Sequence, residues 1–151
     1  MNQAQIRIDE LGAVPVAVIR RQVQQKDLPR HVPELCGQVW NLLRRQNIHG
    51  GRNVAIYWDR SIRLEAGMEC RHPFMEEAGM VRSYLPGGKV LVAPHRGPYS
   101  NLHRAHEAAT SWAERNGVQL AGPCWELYGH WLPEWEERPE LIQTDVCYQI
   151  G

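Results

Sequence analysis

The chain has 151 residues, 43% of them hydrophobic and 23% charged, so it is long enough to bury a core of its own and too apolar to be disordered. Its 17 Lys and Arg balance 17 Asp and Glu, which leaves no basic excess to neutralise phosphates, and direct binding to nucleic acid is not expected. The longest apolar runs, such as Val14 to Ile19, are far too short to cross a bilayer and MNQAQIRIDE does not read as a secretion signal, so the expectation is a cytoplasmic protein whose Cys36, Cys70, Cys124 and Cys147 are free thiols, with no membrane contact.

In chain order, residues 4–9 alternate weakly and predict a first strand, and Val14 to Val23 predicts a second on its β-branched content. Asp27, Pro29 and Pro33 mark a turn and a helix entry. Apolar residues then recur at Val32, Leu35, Cys36, Val39, Trp40 and Leu43, the spacing of one helix face, which predicts a helix over 33–46. Arg44 and Arg45 suit its C-terminal end, and His49-Gly50-Gly51 is the expected stop. Asn53 to Trp58 and Ile62 to Cys70 read as strands joined by a turn at Asp59-Arg60. Met80 to Leu85 and Lys89 to Ala93 read as strands around Pro86-Gly87-Gly88, followed by a loop over Pro94 to Pro98. Ser100 or Asn101 can cap a helix over 100–116, with Leu102, Ala105, Ala109, Trp112 and Ala113 on one side and Gly117 at its end. Cys124 to His130 is a strand, residues 131–140 an acidic loop, and Ile142 to Ile150 the closing strand.

The two halves thus read as strand-helix-strand-strand units, about 4–75 and about 80–151. Trp40 matches Trp112 on the helices, and Tyr57 matches Tyr128 on the strands, at nearly one offset. An internal duplication follows. The expected fold class is α+β: two pseudo-symmetric repeats forming one antiparallel sheet with two helices and a groove at the seam, all within a single domain over 1–151.

The chemistry concentrates in Pro123-Cys124-Trp125-Glu126-Leu127-Tyr128. Alternation along a strand puts Cys124, Glu126, Tyr128 and His130 on one face, with Trp125 and Leu127 on the other. A carboxylate in such a strand needs partners, because burying it unpaired is costly. It could be a core glutamate bonded to a tyrosine or arginine, an exposed edge residue, or the floor of a binding site facing Tyr57, Tyr99 and Tyr128. Six Trp and five Tyr against a single Phe suit an apolar surface that must also hydrogen-bond.

His95-Arg96-Gly97-Pro98-Tyr99, Trp112, Pro123 through Tyr128, and Thr144-Asp145-Val146, together with Ile56-Tyr57-Trp58-Asp59 in the first half, resemble the GyrI-like family, also called the effector-binding domain of AraC- and MerR-type drug-responsive regulators. The resemblance covers essentially the whole chain. It implies a groove for lipophilic, often cationic compounds, with Glu126 at its floor and Tyr57, Tyr99, Tyr128, Trp112 and Trp131 as ligand-contacting residues. Some standalone members of the family look like hydrolases of strained, cyclopropane-containing compounds, a reading that would make Glu126 a general base assisted by Tyr99. Others inhibit DNA gyrase, so gyrase or a separate DNA-binding protein is a possible protein partner. With the domain filling 1–151, no appended helix-turn-helix is expected. Trp125 replaces the Phe or Tyr often seen before the glutamate.

Other chemistries fit less well. His103 and His106 sit three apart on a helix but lack a third ligand at supporting spacing, so a solvated or groove-lining role is preferred and no metal is expected. Cys124 has no helix N-terminus to activate it. Gly87-Gly88-Lys89 lacks phosphate-loop spacing, and no cofactor is expected. Residues 131–140 read as a solvated rim, or as a lid if Trp131 and Trp135 fold over the groove.

Overall fold

Two very short links dictate the shape of the molecule. The computed structural model describes residues 5–59 and 63–151. Its first half runs β1 (Arg7–Leu11), β2 (Val14–Gln22), α1 (Leu28–Arg45), β3 (Asn53–Tyr57) and β4 (Arg63–Glu69). The second half repeats that order as β5 (Met80–Leu85), β6 (Gly88–Arg96), α2 (Leu102–Arg115), β7 (Leu120–Tyr128) and β8 (Gln143–Ile150). All eight strands form one antiparallel sheet in the order β1-β6-β8-β7-β3-β4-β2-β5. Interchanging the halves reverses this order onto itself, as a pseudo-twofold axis between β3 and β7 requires. The α+β class and the pseudo-symmetric repeats are therefore as the sequence predicts.

Each repeat carries a leading strand beyond the expected strand-helix-strand-strand unit, and the repeats exchange it. β1 of the first half pairs with β6 of the second, and β5 of the second pairs with β2 of the first. Only Gly12 and Ala13 separate β1 from β2, although the two lie toward opposite ends of the sheet, and only Pro86 and Gly87 separate β5 from β6. The sheet must curl until its ends meet. Where the links touch, a Cβ on Gly87 would lie 2.8 Å from the Ala13 nitrogen, so the contact admits no side chain. The inner face gathers Val16 and Val18 of β2, Val90 and Val92 of β6, and Val54 and Ile56 of β3 around Trp125. These residues come from both ends of the sheet, and curling is what lets strands alone bury them. The helices pack on the outer face, α1 over β2, β3 and β4 and α2 over β6 and β8.

The helix boundaries differ from expectation for local reasons. Helix α1 begins at Leu28 and runs through Pro33. A proline there forfeits one hydrogen bond, to the carbonyl of Pro29 in the first turn, and the burial of Val32, Leu35 and Cys36 on either side outweighs it. It stops at Arg45 rather than at Gly50-Gly51, because Asn47 takes the left-handed conformation (φ 60°) and Ile48 N–H donates back to the Leu43 carbonyl. Trp40 is not on the buried stripe; Leu42 is buried and Trp40 is 46% exposed. Helix α2 starts after a 3-10 turn at Tyr99–Asn101, and neither Ser100 nor Asn101 makes a side-chain cap. Among the described residues no helix is long and apolar enough to cross a membrane.

Strand β6 absorbs most of the loop expected over Pro94 to Pro98. β1 covers only Gly88 to Val92, so Pro94 falls where one flank of β6 is unpaired and its missing N–H costs little. Strand β7 starts four positions early, at Leu120, with a register irregularity before Cys124, and it ends at Tyr128 rather than His130. Ala4, Arg60 and Ile62, expected in the first strand, the turn and the head of β4, lie outside the described residues.

Candidate functional site

Strands β3 and β7 meet at the pseudo-twofold axis, and their register builds the floor of the site. Ala55 lies opposite Glu126, Tyr57 opposite Cys124, and Asn53 opposite Tyr128. On the other side of β7, Val146 lies opposite Glu126 and Tyr148 opposite Cys124. Glu126 therefore projects from the outer face between the small Ala55 and the aliphatic Val146, only 7% exposed. Above this floor α1 and α2 form the walls of a groove of about 1410 Å³. The α1 wall includes Leu28, Pro29, Val32, Pro33, Trp40 and Asn41; the α2 wall carries Leu102, His103, His106 and Glu107, with Ser100 of the preceding turn. The first wall is thus mostly apolar and the second mostly polar.

Three side chains hold the carboxylate. The hydroxyls of Tyr57 and Tyr128 donate to its Oε1 at 3.3 and 2.5 Å, and His106 Nε2 lies 2.6 Å from Oε2. His106 Nδ1 lies 2.7 Å from the Tyr148 hydroxyl, and the two rings meet edge to face. An ionised carboxylate can only accept, so Nε2 carries the proton and, in the neutral imidazole, Nδ1 accepts from Tyr148. Burial, then the nearby negative charge of Glu126, pushes the Tyr57 and Tyr128 phenols above their ordinary range, which keeps both protonated as donors. The same two causes push the Cys124 thiol up to about 11. Tyr99, 43% exposed at the mouth, meets Tyr128 edge to face at 5.6 Å.

Among the described residues, Glu126 forms no ion pair with a lysine or arginine, and no lysine or arginine lines the groove. Its ionisable lining includes the carboxylates of Glu107 and Glu126 instead. Nearby basic side chains are engaged elsewhere: Arg52 with Glu69 and Asp145, Arg21 with Glu34. The arrangement leaves a buried negative charge stabilised by hydrogen-bond donors, surrounded by aromatic faces and reachable from solvent.

Of the residues singled out in the sequence, Glu126, Tyr57, Tyr99, Tyr128 and Trp131 come together on this groove. Trp112 is not among the lining residues; it packs against the core beneath α2 with Ala105 and Ala109, so it and Trp40 are not equivalent. Trp40 is the tryptophan on the α1 wall, its ring covered by the Arg44 guanidinium at 4.8 Å. Trp131 sits at the rim, 49% exposed, with its ring against the buried Trp135. Sequence reasoning missed His106 as a partner of the carboxylate and Tyr148 as the partner of His106. His106 stands one turn after Leu102 and three before Ala109, at the border of the apolar stripe, a position that points into the groove. Tyr148 shares strand parity with Val146, and register alone placed it beside Cys124. His103 hydrogen-bonds the Ser100 carbonyl, and no cluster of metal-binding side chains occurs among the described residues.

Comparison with known proteins gives a family and a fold. The sequence pattern of the family described as "GyrI-like small molecule binding domain" matches residues 4–150. The C-terminal domain of EcmrR superposes with a TM-score of 0.80 at 18% identity, over 97% of each chain. In a complex of EcmrR with DNA the present chain spans 57% of the EcmrR chain. SAV2435 bound to tetraphenylphosphonium gives a TM-score of 0.69 at 12% identity, over 97% of this chain and 94% of that one. A hydrolase from Listeria innocua gives 0.60 at 10% identity, over 97% and 91%. No curated protein matches the sequence.

Proposed function

This chain belongs to the GyrI-like small-molecule-binding family, and from that premise we propose that its groove binds lipophilic cations, with the positive charge against Glu126 and the hydrocarbon against the α1 wall. The observation that carries the reading is a buried carboxylate with no lysine or arginine partner. A glutamate 7% exposed, with no lysine or arginine beside it or lining the groove among the described residues, is an electrostatic deficit that a cationic guest fills. The faces of Tyr57, Tyr99 and Tyr128 add cation–π attraction, about 0.5–2 kcal/mol for each face a cation reaches. With a charge-assisted contact of about 1.5–3 kcal/mol and apolar burial, micromolar affinity is within reach. That a relative of the same fold binds tetraphenylphosphonium supports the choice of ligand class. The four unpaired cysteines support a reducing, cytoplasmic setting.

The test is calorimetric titration of the protein with tetraphenylphosphonium and with triphenylphosphine oxide, a neutral molecule of similar aryl surface. The cation should bind in the micromolar range and the neutral compound at least tenfold more weakly. Equal affinities would remove the charge from the mechanism. Steady consumption of an excess of a neutral strained electrophile would instead favour the hydrolase reading, with Glu126 as general base and Tyr99 assisting.

A further inference from the structure

Three donors already occupy Glu126. A carboxylate offers about four acceptor positions, two on each oxygen. Tyr57 and Tyr128 fill those of Oε1, and His106 takes one of the two on Oε2. The Tyr148 hydroxyl is engaged as well, with His106 Nδ1. At the buried floor of the groove the Glu126 carboxylate therefore offers an incoming cation only about one free acceptor position.

We propose that this groove selects cations that carry no N–H donors, quaternary or charge-delocalised, over primary ammonium ions of the same skeleton, and that His106 is the residue that sets the preference. The proposal rests on the reading of the groove as a lipophilic-cation site. A primary ammonium brings three donors. One can reach Oε2, and the others are left without partners among the aromatic rings, where an unsatisfied donor costs the desolvation of that group. A trimethylammonium or phosphonium of matched hydrocarbon brings none to satisfy. It spreads its charge over the same surface that the aromatic rings of Tyr57, Tyr99 and Tyr128 present. His106 enters because its Nε2 spends an acceptor position on Oε2 while Tyr148 fixes the ring through Nδ1. Removing the imidazole returns that position to the ligand and leaves the charge in place.

The experiment compares an aryl-alkyl trimethylammonium with the primary ammonium of the same skeleton, by calorimetry at pH 8, on the wild type, His106→Ala and Tyr57→Phe. His106 lies on the groove side of α2 and is part-exposed, so the alanine variant should fold, which far-ultraviolet circular dichroism checks. The wild type should prefer the trimethylammonium by about tenfold or more, the equivalent of one unsatisfied donor. His106→Ala should cut that ratio severalfold, chiefly by gaining affinity for the ammonium. Tyr57→Phe, which frees a position on Oε1 without touching the α2 wall, should narrow it as well. Equal affinity of the wild type for both ions overturns the selectivity. A ratio that His106→Ala leaves unchanged while Tyr57→Phe lowers it overturns the role of His106 alone. Failure of the wild type to bind either ion, or tetraphenylphosphonium, would instead sink the cation-site reading beneath it.

Discussion

Replacing Glu126 by Gln removes a charge and little else, which makes it the sharpest perturbation of the groove. The Gln carbonyl can still accept from Tyr57 and Tyr128 in place of Oε1. Its amide nitrogen then stands where Oε2 did, 2.6 Å from His106 Nε2, and two donors would face each other. The imidazole resolves this by carrying its proton on Nδ1, so that Nε2 accepts from the amide and Nδ1 donates to the Tyr148 oxygen. The network is rewired rather than broken, and folding stability should change by about 1 kcal/mol or less. Ligand affinity should change by more. A cation about 4 Å from the carboxylate gains roughly 4 kcal/mol at an effective dielectric of about 20, and desolvation of the ion returns part of that. A net loss of about 1.5–3 kcal/mol, roughly tenfold to a hundredfold in Kd, is expected for tetraphenylphosphonium. Calorimetric titration reads the affinity, and thermal melting of the free proteins reads the stability. Unchanged affinity in a variant that melts with the wild type would refute the electrostatic argument. A large loss of stability would instead make Glu126 a core residue whose charge the fold itself requires.

Further outcomes follow from the same geometry. With its pKa pushed up to about 11, Cys124 should react slowly with iodoacetamide at pH 8, where only about one thiol in a thousand is ionised; Glu126→Gln removes a negative charge that disfavours the thiolate, so the rate measured by mass spectrometry should rise, and an unchanged or lower rate would contradict the assigned cause. Gly67→Ala should destabilise by more than about 4 kcal/mol or prevent folding, because the new Cβ would lie 1.9 Å from the Ala17 carbonyl oxygen in the neighbouring strand; denaturant unfolding measures it, and a loss below about 1 kcal/mol would mean that β2 and β4 can separate. Asn47→Ala should cost about 1 kcal/mol, since alanine has no local compensation for a φ of 60°, whereas Asn47→Gly should cost less; a drop in Tm of about 2–4 °C for alanine is the expected reading.

Much of this was legible in the sequence where one physical constraint acted alone. The periodicity from Val32 to Leu43 required a helix, and the alternation around Glu126 fixed which side chains share its face. Boundaries failed where two constraints competed. Pro33 argued for a late start to α1, but the apolar residues around it were worth more than one lost hydrogen bond. The end of α1 fell within a residue of its expected place, although Asn47 rather than Gly50-Gly51 supplies the left-handed turn. Trp40 and Trp112 resemble each other as apolar letters at matching positions; the structure separates them because Trp40 flanks the buried stripe of its helix while Trp112 packs beneath its own. His106 carried only a weak signal, a polar residue at the edge of an apolar stripe, and its partner Tyr148 lies 42 residues away on another element. No local pattern encodes such a pairing, which depends on strand register.

The exchanged strands explain how a duplicated fold comes to hold one carboxylate rather than two. Because β1 covers β6 and β5 covers β2, neither repeat has a complete sheet by itself, and the repeats are held around a common axis. The axis passes between β3 and β7, where the central pair of the register is Ala55 and Glu126. Tyr57 and Tyr128 each lie two residues further along their own strands, one on either side of that pair, so symmetry points two phenols at the same spot. A glutamate at both central positions would set two carboxylates side by side across neighbouring strands, and their repulsion would force one to take up a proton. With alanine at one of them, a methyl group leaves room for the single Glu126 side chain to lie over the axis, where both tyrosines reach its Oε1. The duplicated framework supplies the convergent donors, and the central position, alanine in one repeat and glutamate in the other, supplies the charge.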